Sequence, residues 1–177
     1  MSKPLRRFVL SALLLAAAAA PAAAEVTRVA ITSRAVVANG QPFGAAGPYE
    51  KISATVFFEL DPADPHNRAI ADLDLAPRNA RGRVEFSADL FILAPQDTAR
   101  GSGSVLFEIS NHGNKSLLTT FNRATGSLDP MLPEHFGDGL LMRNGFTLVW
   151  VGWEFDVPPP NPDKLKLYAP IATANSA

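Results

Sequence analysis

The side chains that offer chemistry in this sequence are few. Cysteine is absent, which removes disulfides, thiolate metal sites and cysteine nucleophiles, so chemistry must use hydroxyl, imidazole, carboxylate or backbone groups. Of the three histidines, His66 stands in an Asp/Pro-rich turn and His135 near a helix start, positions that read as surface. No two histidines have the spacing of a metal pair, so no metal and no cofactor is expected. Asp72 and Asp74 share one face of a short predicted strand; without the oxygen spacing of an EF-hand they read as structural acids. Two segments remain, His112-Gly113-Asn114 and Trp153-Glu154-Phe155-Asp156. Each follows an apolar run, and α/β sheets bind ligands at the carboxyl ends of their strands. His112, Trp153 and Glu154 are therefore candidates for a substrate wall, with ordinary packing as the alternative.

The elements that position these segments follow from periodicity. Residues 26–34, 49–60 and 83–93 are β-branched and aromatic stretches bounded by Gly, Pro, Asn and Asp, and predict three long strands. The turn chemistry of Asn39-Gly40-Gln41-Pro42 and Asp61-Pro62-Ala63-Asp64-Pro65 makes their connections short and their pairing antiparallel. Residues 103–110 form a near-continuous apolar run of the kind buried on both faces of an α/β sheet. Pro133-Glu134 opens a predicted helix through Leu140, Leu141 and Met142, Asn144-Gly145 closes it, and residues 146–151 return as a strand. Strand, helix and strand make a parallel crossover. The expected class is thus α/β, with long antiparallel strands followed by one crossover.

The ends read differently. Lys3, Arg6 and Arg7, the 13-residue apolar run 8–20 and Ala22-Ala23-Ala24 have the form of an export signal, with cleavage expected after Ala24. The apolar run is shorter than the roughly 20 residues of a membrane span. Loss of the leader takes the formal net charge from −1 to −4, and a chain so nearly neutral has no field to draw nucleic acid or an anionic membrane. The expected product is an exported, periplasmic or extracellular domain over residues 25–157. Residues 158–177 read as a Pro-rich linker, set by Pro158-Pro159-Pro160-Asn161-Pro162, and an isolated tail in which Leu165-Lys166-Leu167-Tyr168 looks like an interrupted strand.

That order of elements resembles the opening half of an α/β-hydrolase. More specifically, Phe43-Gly44-Ala45-Ala46-Gly47-Pro48-Tyr49-Glu50, Asp72-Leu73-Asp74-Leu75-Ala76-Pro77-Arg78-Asn79, Phe136-Gly137-Asp138-Gly139 and Gly145-Phe146-Thr147-Leu148-Val149-Trp150-Val151-Gly152-Trp153 resemble the N-terminal region of a bacterial family of α/β-hydrolase domain proteins. The resemblance implies a serine at a Gly-x-Ser-x-Gly elbow followed by an acid and a histidine. No serine here has glycine two residues away on both sides, and Gly101-Ser102-Gly103-Ser104 reads as a turn before a strand. The resemblance therefore implies a sheet that is incomplete, stopping before its nucleophile. It also implies that the loop His112-Gly113-Asn114 supplies half of an oxyanion hole, through the backbone amide of Asn114 as first choice and that of Gly113 as second; a simple turn is the alternative.

Two functions follow as expectations. In the first, the chain is the N-terminal part of an exported serine hydrolase acting on small acyl substrates when complete, and inactive alone. In the second, it is a small exported β-rich binding domain without catalysis. An incomplete sheet would leave the strand at 105–110 as an apolar edge, and self-association through that edge is expected.

Overall fold

The β-branched runs form the strands expected of them. A computed structural model describes residues 24–158 and 161–172; the predicted leader, apart from Ala24, lies outside the described residues. β1 (Glu25–Val36), β2 (Tyr49–Leu60) and β3 (Val84–Pro95) are antiparallel neighbours, with β2 and β3 in unbroken register from Tyr49↔Pro95 to Leu60↔Val84. β4 (Val105–Ile109) and β5 (Thr147–Val151) pair in parallel, and β5 lies against β3 in the opposite sense. The main sheet order is β1-β2-β3-β5-β4, a mixed sheet of six strands counting the short β6 (Leu167–Tyr168) on β3. β4 is an edge.

The register sorts the side chains. Lys51, Phe91, Leu93, Leu148, Trp150 and Glu108 share one face through the pairs Lys51↔Leu93, Phe91↔Trp150, Leu93↔Leu148 and Glu108↔Trp150. Over that face pack α1 (Leu117–Asn122) and α2 (Leu140–Arg143), closing a core around Leu117, Leu118, Phe136, Leu141 and Met142. Asn122 joins the two helices: fully buried, it accepts the amide of Leu141 at 3.0 Å and donates to the Phe136 carbonyl at 3.1 Å. On the opposite face Val26, Val29, Ile31, Val105, Phe107 and Ile109 are all at least half exposed. Near one end of that face Leu73 packs over Leu60 and Val84.

Four expectations are corrected. The run at 103–110 is not buried on both faces: Val105, Phe107 and Ile109 on the outward face are exposed, reaching 70% at Ile109, and Leu106 and Glu108 on the other are only partly buried. The helix opening at Pro133 is broken into a 3-10 turn, Pro133–Phe136, and α2, because Gly137 and Gly139 take positive φ between them. A Cβ on Gly137 would stand 2.1 Å from the Asn122 carbonyl oxygen, so that position takes glycine alone. Asp72 and Asp74 share no strand face; they flank Leu73 in a 3-10 turn that Asp72 enters at φ 55. The tail is not isolated: Leu165 joins the main core, Lys166 donates its amide to Asp89 Oδ2 at 2.9 Å, and β6 extends the sheet. Among the described residues no helix is long and apolar enough to cross a membrane.

Candidate functional site

Because β4 and β5 are parallel neighbours, the segments that leave them meet at one end of the sheet. After β4 the chain turns sharply at His112 (φ 46) and Gly113 (φ 73). Glycine is required at the second position, since a Cβ there would lie 2.4 Å from the Leu165 carbonyl oxygen. Three contacts fix the loop. Trp153 Nε1 donates to the Ser110 carbonyl, the Leu165 amide donates to the Gly113 carbonyl at 3.0 Å, and the His112 amide donates to Glu154 Oε2 at 2.9 Å.

His112 and Glu154 also meet side chain to side chain. His112 Nδ1 is 3.0 Å from Glu154 Oε2, a geometry that assigns the ring proton to Nδ1 and leaves Nε2 free. The histidine side chain is half exposed whereas the glutamate is nearly covered, so the carboxylate orients the ring rather than the reverse. Asp156 completes the group: one ligand atom each from His112, Glu154 and Asp156 lies within 4.8 Å of the others. Trp153, next to Glu154 in the chain, is 54% exposed.

The three amides of the loop differ in what they have left to give. The His112 amide is spent on Glu154, and the Asn114 amide donates to the Asn111 carbonyl at 3.1 Å, closing the turn considered from the sequence. The Asn114 side chain bonds the same carbonyl through Nδ2 at 2.7 Å. The amide of buried Gly113 has no partner among the described residues. Ser110 Oγ, just upstream, is buried and likewise unpartnered.

Lys115, next in the chain, was not among the candidates read from the sequence. Its ammonium donates to the carbonyls of Leu128 and Asp163, each at 2.6 Å, and sits 4.5 Å from the centre of the Phe91 ring. Burial pushes the Lys115 amine down to about 8, against the pull of Asp129 and Asp163. With its donors so engaged, the group ties the loop at Leu128 and the returning tail to the sheet. It borders a polar cavity of about 230 Å³ in which Lys51 is held by Asp129 at 2.6 and 2.7 Å. The signal for it was a lone lysine between Asn114 and the apolar start of α1.

The other candidates stand apart. His66 is exposed and bonded to Asp64 at 2.9 Å; the His66 amide and ring hold the Asp64 carboxyl below its usual range. His135 Nδ1 accepts the amides of Met131 and Leu132, so it shapes a turn. Asp72 and Asp74 are exposed. Asp72 lines a mostly apolar pocket of about 560 Å³, walled by Leu60, Leu73, Phe86, Phe155 and Leu167.

Comparison with family models, with curated proteins and with solved structures finds no match.

Proposed function

We propose that this chain is the opening half of an exported α/β-hydrolase that cleaves esters or related acyl compounds, its nucleophilic serine coming from a segment that adds beside β4. One arrangement supports the reading: among the described residues β4 lies at the sheet edge, parallel to β5, with its apolar row exposed and the Gly113 amide without a partner just past its carboxyl end. In the resembled architecture that strand lies in mid-sheet, and the strand leading to the nucleophile occupies the side left open here.

The chemistry assigned to the loop is electrostatic. When a serine oxygen attacks an acyl carbon, charge moves to the carbonyl oxygen, and a fixed amide that needs no reorganisation stabilises it. Gly113 N–H is the donor available for this, since the Asn114 amide would first have to leave Asn111. His112, Trp153 and Glu154 form the adjoining wall. The serine, acid and histidine of the triad are not in this chain, so the chain is inactive on its own. The full chain, given short p-nitrophenyl esters and a fluorophosphonate probe, is expected to show neither turnover above a heat-treated control nor serine labelling. Serine-specific labelling with turnover would overturn the reading.

The second reading, an exported binding domain, is favoured by the apolar pocket of about 560 Å³, within the range of small-molecule sites. Sequencing the DNA immediately downstream separates the two: a Gly-x-Ser-x-Gly segment there supports the hydrolase, and its absence the binding domain.

A further inference from the structure

The loops leaving β4 and β5 bring together three metal-ligating side chains, and the acyl chemistry proposed above does not need all three. His112, Glu154 and Asp156 present their ligand atoms within 4.8 Å of one another. Two atoms bound to one first-row ion at about 2.1 Å stand roughly 3 to 4 Å apart, and His112 Nδ1 and Glu154 Oε2 already stand 3.0 Å apart. Asp156 is exposed and has room to close the remainder.

Charge points the same way. Among the described residues no lysine or arginine forms a salt bridge with Glu154 or Asp156, so two carboxylates converge beside one imidazole with no direct Lys or Arg partner.

We propose that His112, Glu154 and Asp156 bind one divalent transition cation of the Zn²⁺ or Mn²⁺ type. One imidazole with two carboxylates suits such ions, whereas Mg²⁺ and Ca²⁺ take oxygen ligands alone. On binding, the ion replaces the proton between His112 Nδ1 and Glu154 Oε2, and that proton moves to Nε2, so the ring remains neutral. Solvent fills the remaining coordination positions, since the histidine and Asp156 are open to it. The inference does not rest on the hydrolase reading, because it concerns ion binding and not turnover.

Isothermal titration of the purified full chain with ZnCl₂, and separately with MgCl₂, tests it. One equivalent of Zn²⁺ is expected to bind, with no saturable Mg²⁺ binding. Asp156→Asn and Glu154→Gln should each weaken Zn²⁺ binding roughly 10- to 100-fold. His112→Asn should do the same, asparagine being tolerant of the left-handed backbone at that position. His66→Ala, at the exposed histidine remote in sequence, should change nothing. Absence of saturable Zn²⁺ binding, Mg²⁺ binding of equal strength, binding that survives both His112→Asn and Asp156→Asn, or binding lost in His66→Ala would each overturn the assignment.

Discussion

Glu108→Ala is expected to destabilise the chain by roughly 2 to 4 kcal/mol. Glu108 points from β4 into the core side of the sheet, where its carboxylate accepts the Trp150 indole N–H, the Ser116 hydroxyl and the amides of Ser116 (2.9 Å) and Leu117 (3.1 Å). It thus joins β5 to β4 and satisfies the first amides of α1 in one group. The alanine variant removes the acceptor of the indole N–H of a fully buried tryptophan and uncaps the helix. Glu108→Gln keeps an acceptor and loses the charge, so it should cost about half as much. Urea melts in a Phe107→Lys, Ile109→Lys background, which keeps the edge strand from pairing, measure the difference. A change for Glu108→Ala within about 0.5 kcal/mol would mean that the carboxylate is not the joint described.

Gly113→Ala is expected to be as damaging for a different reason. The φ of 73 costs a residue with a Cβ about 1 to 2 kcal/mol, and the new carbon would stand 2.4 Å from a backbone oxygen of Leu165. Backbone has to move, which adds roughly 1 to 3 kcal/mol and loosens the packing of Leu165 in the core. The combined loss is about 2 to 5 kcal/mol. Gly82→Ala is the control: it has a similar φ of 75 but nothing within 4 Å of the added carbon, so only the backbone cost should appear. Equal melts for the two variants would show that the tail does not pack on this loop.

What the sequence disclosed, and what it concealed, divides along local and non-local physics. β2, β3 and β5 were legible because long β-branched and aromatic runs between turn residues need no partner to be recognised. The outward row of β4 was not legible. Val105, Phe107 and Ile109 are apolar like Leu106, and whether such a row is buried depends on the elements around the strand, which its own residues do not specify. The broken helix was partly legible in Gly137-Asp138-Gly139, whose glycines signal the interruption that the apolar pattern through Leu140 and Met142 obscures. For Asp72, alternation suggested a strand where the backbone is left-handed.

The same division holds at the site. The placement of Trp153-Glu154 past a strand end was visible locally, but the contact between Glu154 and His112, 42 residues apart, exists only because β4 and β5 are neighbours. Counting histidine pairs missed the ligand set for that reason: its members are one imidazole and two carboxylates from different loops. Which amide of the loop is spent and which is free also depends on partners elsewhere, Asn111 for Asn114 and Glu154 for His112.

The most direct test of the central claim, that β4 is an edge built to be covered, is light scattering during size-exclusion chromatography of residues 25–177, compared with the Phe107→Lys, Ile109→Lys variant. Apolar side chains on an unpaired strand edge promote association, and charges at those positions oppose it. The unsubstituted chain is expected to elute as a multimer or aggregate and the lysine variant as a monomer. A clean monomer of the unsubstituted chain with a sharp cooperative melt would contradict it and favour a self-sufficient binding domain.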